Sequence, residues 1–179
     1  MLVSEKRNIR SRMGGIAVYN EQQEAIHNGR AFSYDSEGTI AAGESVYLLG
    51  VTGDYQVHFD TLSGLFEAGG IRVGLYSAPT VTSNGTEHTP VNMNFASSNV
   101  SSMALYSGPT VTDIGTFKAQ MFLPATGVGV NIQPTVGGIA GGRVLAANTS
   151  YIIKIENTLD TGTTDFGLTF EWHESDVEL

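Results

Sequence analysis

Four histidines, 18 acidic side chains and no cysteine make up the reactive inventory of this 179-residue chain. His27, His58, His88 and His173 are the candidates for a general base or a metal ligand, because imidazole titrates nearest neutral pH and binds metals through either ring nitrogen. None of the four sits in H-E-x-x-H or H-x-H, the local spacings that bring two imidazoles onto one zinc ion. His58 and His173 fall on the polar faces of predicted strands and read as surface or hydrogen-bonded side chains. The lack of cysteine excludes disulfides and thiolate-ligated metals. No G-x-S-x-G elbow offers a serine nucleophile. Paired carboxylates could serve a glycosidase, but 18 acidic residues generate many chance pairs. Asp160 and Asp165 lack the regular acidic spacing and terminal Glu of a calcium loop and read as part of a solvated turn. "GGIAGG" (137–142) is not followed by the Lys-Ser/Thr of a phosphate-binding loop. The three glycosylation sequons, at Asn84, Asn99 and Asn148, read as chance matches. The expectation is a protein without catalytic residues, cofactor or metal.

Charge narrows the partners. A net charge of −9 argues against a general nucleic-acid binder, which needs clustered Lys and Arg for phosphate contacts. Four of the nine basic residues, Lys6, Arg7, Arg10 and Arg12, lie in the first twelve positions. They read as a frayed, solvated terminus or, alternatively, as an arm that orders on an acidic partner surface and makes the capsid contact. Glu171, Glu174, Asp176 and Glu178 make the opposite end acidic. No apolar run reaches membrane-spanning length, and "MLVSEKRNIRSRMGG" lacks the apolar core of a secretory signal. No membrane partner is expected.

With 22 glycines and only 15% charged residues, the composition favours strands and turns over helices. From Ile16 onward apolar and polar positions alternate with period two: Tyr55, Val57 and Phe59; Ile71, Val73 and Leu75; Phe117, Ala119 and Met121; Tyr151, Ile153 and Ile155; and Phe166, Leu168, Phe170 and Trp172. Such alternation marks half-buried antiparallel strands. Trp172 shares the apolar face and is expected in the core. Turn signals fall at Ser36-Glu37-Gly38, Gly43, Gly53-Asp54, Gly69-Gly70, Asn84-Gly85, Gly115, Gly127, 137–142 and Thr161-Gly162. About eight to ten strands follow, a number that suits an all-β antiparallel sandwich of jelly-roll type. The arm at residues 1–15 precedes a single domain at 16–179.

One phrase occurs twice. "LYSAPTVTSNGT" (75–86) and "LYSGPTVTDIGT" (105–116) agree at nine of twelve positions. Each copy reads as a strand, a Pro that ends pairing, Thr-Val-Thr, a glycine turn and a new strand. Asn84-Gly85 is in addition a strong hairpin signal. Two copies are too few for a solenoid. They predict a repeated structural corner or, alternatively, twin loops for a partner or sugar. Tyr76 and Tyr106 lie opposite the apolar face and either face solvent or are candidates for an oligomer interface.

The order of "AIHNGRAF" (25–32), the doubled phrase, "NMN" (92–94), "LAANTSYIIKIEN" (145–157) and "FGLTFEWHE" (166–174) resembles a family of small tailed-bacteriophage virion proteins that decorate or cement the head. The resemblance spans about residues 25–174. It implies a jelly-roll-like β domain, a homotrimer on the capsid exterior bound to the major capsid protein, and synthesis in the host bacterial cytoplasm. It carries no catalytic residues. A carbohydrate-binding β-sandwich module of a tail fibre or spike is the alternative.

Overall fold

The computed structural model describes residues 9–10, 16–17, 21–67, 70–123, 135–136 and 143–175. In chain order these form β1 (Ile9–Arg10), β2 (Ile16–Ala17), helix α1 (Glu21–His27), β3 (Ala31–Ala41), β4 (Ser45–Val51), β5 (Gln56–Phe66), β6 (Ile71–Ser77), β7 (Thr80–Ser83) and β8 (Thr86–His88). There follow β9 (Val91–Asn92), β10 (Ala104–Ser107), β11 (Thr110–Asp113), β12 (Thr116–Leu123), β13 (Thr135–Val136), β14 (Arg143–Leu145), β15 (Ser150–Asn157) and β16 (Thr163–Ser175). Every strand pairing among the described residues is antiparallel.

Two sheets face each other across one apolar core. The first runs β5–β16–β3–β9, with β13 and β14 both pairing β5. The second runs β12–β6–β15–β4–β10–β8. The alternation in β16 is its organising feature: Thr164, Phe166, Leu168, Phe170 and Trp172 are buried, and the residues between them face away. Against them stand Val73, Leu75, Tyr151 and Ile155 of the second sheet. Trp172 is wholly buried beside Phe32, with ring centroids 6.0 Å apart, as the sequence predicts. Each such side chain contributes roughly 1.5–3 kcal/mol by leaving water.

Several departures from the sequence expectation have physical causes. Phe117 does not share the inner face with Ala119: a register shift between them leaves Phe117 opposite Tyr76 on the outer face, 54% exposed. Ser36-Glu37-Gly38 is not a turn; β3 runs straight through it. Gly38 faces Phe166 across the ladder, and a Cβ there would meet the Phe166 ring at 3.0 Å, so the glycine makes room for an aromatic neighbour. The segment after Ile16 does not simply alternate, because α1 interrupts it and buries Ala25. The period also slips inside β5: Val57 and Phe59 point inward, then Leu62 and Phe66 do. Glu171 pairs Thr61 while Trp172 pairs Phe59, so Asp60 is the extra residue of a β-bulge.

The doubled phrase forms an interlocked pair of corners. Strand β6 of the first copy pairs β12 of the second, β10 of the second pairs β8 of the first, and β7 pairs β11 with Val81 opposite Val111. Asn84-Gly85 is therefore not a hairpin turn; it hands the chain from the β7/β11 ribbon to the far edge of the second sheet. The registers Ile152↔Leu49, Ile152↔Tyr76 and Leu49↔Tyr106 define a local two-fold axis between Leu49 and Ile152. Gly85 packs on the carbonyl of Ser107, and Gly115 packs on that of Ser77, in matching geometry. The phrase is repeated because each copy completes the other.

Candidate functional site

The richest polar construction lies at one end of the sandwich, where the "AIHNGRAF" and "NMN" motifs meet. Asparagine suits such a place because its amide can mimic a backbone turn. The Asn92 amide donates to the carbonyls of Gly29 (2.9 Å) and Asn99 (3.0 Å), and its oxygen accepts the Asn94 N–H (2.9 Å). Asn94 in turn donates to the His27 carbonyl (3.1 Å) and accepts the Ala96 N–H (3.1 Å). Asn99 donates to the Gly29 carbonyl at 3.3 Å. The other end of this loop is held by Glu174, only 5% exposed, whose carboxylate accepts from the Ser101 hydroxyl (2.7 Å) and the N–H groups of Ser102 (2.8 Å) and Met103 (3.2 Å). Between these anchors Phe95 and Val100 stand in solvent, 89% and 82% exposed, with Val91 beside them in sequence at 54%. A loop this heavily hydrogen-bonded presents its apolar side chains at little further entropic cost.

Tyr76 and Tyr106 are half-buried on the outer face of the second sheet. They occupy equivalent places about the local two-fold, three strand spacings or about 14 Å apart. Between them lie Leu49 and Ile152, which are buried although they point away from the main core. Tyr76 lies over Gly74 and meets Phe117 edge-on at 5.8 Å, so its ring already has an intramolecular role. On the same face Glu156 accepts from Lys154 (2.9 Å) and Arg72 (2.8 Å). The Lys154 hydrogen bond, outweighing partial desolvation and aided by Arg72, holds the Glu156 carboxyl below the usual range. Of the basic arm, Lys6, Arg7 and Arg12 lie outside the described residues, and Arg10 is described only as a backbone partner in β1. The 137–142 loop is likewise outside them.

Two of the four histidines converge. His58 and His173 face each other across the β5/β16 ladder, and their rings stack at 4.5 Å. His173 is not a surface residue: it is 4% exposed on the sheet face where α1 packs, and its Nδ1 lies 2.8 Å from Asp60 Oδ2. A carboxylate can only accept, so Nδ1 carries the proton. The bulge at Asp60 aims that carboxylate. Glu21 on α1, His58 and His173 are the group among the described residues whose donor atoms could together hold a metal ion. The signal in the sequence was the slip in apolar parity between Phe59 and Leu62, which marks a bulge.

Between the sheets lies an apolar cavity of about 40 Å³ lined in part by Leu48, Gly50, Val57, Leu75, Leu145 and Tyr151. It is a packing gap of the core. A Cβ on Gly50 would enter it at ordinary contact, 3.6 Å from Met103 and Leu105. Gly50→Ala is therefore expected to stabilise the protein by about 0.5–1 kcal/mol, through added packing and a less flexible unfolded chain, measured as a raised urea midpoint. A lowered midpoint would contradict this placement of Gly50. No family model, curated protein or solved structure matches the chain.

Proposed function

We propose that the chain is a non-enzymatic virion structural protein that binds the surface of an assembled bacteriophage capsid and stabilises it. The observation that carries this reading is the anchored loop holding Phe95 and Val100 in water. Scattered exposed apolar residues need no explanation, but two on one rigid loop supply a preorganised contact. Burying each on a partner is worth roughly 1–3 kcal/mol. The loop also unites two of the motifs behind the virion-protein resemblance, "AIHNGRAF" and "NMN".

The strand order supports the finer architectural reading. Taken as β14–β5–β16–β3 facing β12–β6–β15–β4, the long strands follow the succession of a jelly roll, with the doubled phrase inserted between β6 and β12. A homotrimer on the capsid exterior would present three copies of the loop, and weak single contacts would add by avidity. The partner is the major capsid protein of the same virion.

Mass measurement in solution and cosedimentation with heads that lack the protein test the proposal together. A trimer that binds such heads saturably and raises their resistance to heat supports it. Failure to bind heads, with binding to a glycan instead, would overturn it in favour of the fibre or spike module.

A further inference from the structure

We propose that Glu21, His58 and His173 form a site for one divalent transition-metal ion of the zinc class, which fastens α1 to the outer face of β5 and β16. The donor atoms of the three residues lie within 4.8 Å of one another and come from three separate elements. The burial of His173 and its unpartnered ring nitrogen set this cluster apart from a chance grouping. Its Nδ1–H is committed to Asp60 at 2.8 Å. That bond turns Nε2 away from Asp60 and toward Glu21, the arrangement in which a carboxylate orients a metal-bound imidazole. Nε2 is buried and has no hydrogen-bond partner. A buried polar atom left so costs roughly 1–3 kcal/mol.

What faces Nε2 is another carboxylate. Glu21 Oε1 stands 3.9 Å away, too far for a hydrogen bond. The 3.9 Å gap in front of the buried Nε2 leaves room for a cation between imidazole and carboxylate. His58, half-buried and stacked on His173, offers the third donor.

The donor set decides the ion. Two imidazole nitrogens and one carboxylate oxygen suit zinc and its neighbours, whereas calcium and magnesium take oxygen ligands. Tetrahedral zinc with bonds of about 2.0–2.2 Å needs its donors about 3.4 Å apart. Closure from 4.8 Å requires Glu21, 71% exposed at its side chain, to swing inward and His58 to turn out of the stack. Water completes the fourth position. The two negative charges of Glu21 and Asp60 balance the ion.

The direct experiment titrates untagged full-length protein with Zn²⁺ alone by calorimetry, then repeats the titration with Co²⁺ by visible absorption. One ion per chain, a higher melting temperature with Zn²⁺ and a Co²⁺ band of low-coordinate intensity are expected. His58→Ala and His173→Ala should abolish all three. Asp60→Asn, which leaves the ligands in place, should weaken binding about 10–100-fold. His58 is only half-buried, so His58→Ala keeps the test valid if His173→Ala fails to fold; circular dichroism without metal separates the two cases. Absence of saturable binding, or binding unchanged in His58→Ala, overturns the proposal.

Discussion

Alanine at Gly85 and alanine at Gly115 are each expected to cost about 2–5 kcal/mol of stability, and nearly equal amounts. Both glycines sit at positive φ, +88° and +85°. At each, an added Cβ would fall 2.2 Å from a backbone carbonyl oxygen, that of Ser107 or of Ser77. A side-chain neighbour could swing aside, but these oxygens belong to the ends of β10 and β6. Relief would require breaking the corner. Gly108→Ala is the control: nothing lies within 4 Å of its Cβ position, and Ala78 already holds a φ of +53° at the equivalent place. It should cost only about 1 kcal/mol. Urea unfolding of the three variants reads the result. Losses under 1 kcal/mol at Gly85 or Gly115, or strongly unequal losses, would mean that the two copies do not interlock.

Glu174→Ala should cost about 3–5 kcal/mol, because it strips one buried charge from three donors at once. The Ser102 amide would lose its acceptor, while the Ser101 hydroxyl and the Met103 amide would keep only their bonds to the Met103 carbonyl (3.2 Å) and Ser101 Oγ (3.0 Å). Glu174→Gln keeps one acceptor oxygen and should cost less than half as much. Hydrogen exchange at Ser102, whose amide bonds both Glu174 oxygens, is the local readout: it should accelerate strongly in the alanine variant while β15 amides stay protected. Under the proposed function the same change releases the Phe95 loop, so attachment to heads should weaken beyond what the stability loss explains. An alanine variant with native melting temperature and native exchange would remove Glu174 as the anchor.

How much of this was legible in the sequence depended on the range of the interaction. Alternation in 163–175 and 151–155 is local, and the strands fell where the period placed them. Trp172 followed from its neighbours alone. Ser36-Glu37-Gly38 misled because turn composition and space for an aromatic ring look alike in one dimension; only the cross-strand position of Phe166 separates them. Asn84-Gly85 misled for a similar reason, since the hairpin it favours locally loses to pairing with β10, a strand some twenty residues further on. The repeat itself was plain, but its meaning lay in the other copy. Helix α1 is a short segment whose Ala25 is buried by β3 and β16, not by its own pattern. His173 took a polar-face position and became buried because α1 covers it. The histidine cluster draws on Glu21, His58 and His173, widely separated in the chain, and no local spacing could announce it. The Phe95 loop is likewise a product of contacts to residues 27–29 and 174.

The most direct measurement is the affinity of the Phe95→Ser, Val100→Ser double variant for heads that lack the protein, set against the unaltered chain. Both side chains are exposed, so the fold and the oligomer should survive, checked by melting temperature and mass. With about 1–3 kcal/mol at stake for each side chain and every tenfold worth 1.4 kcal/mol, affinity should fall by at least about tenfold even before avidity multiplies the loss. Undiminished binding by a folded double variant would contradict the assignment of this loop as the surface that grips the capsid.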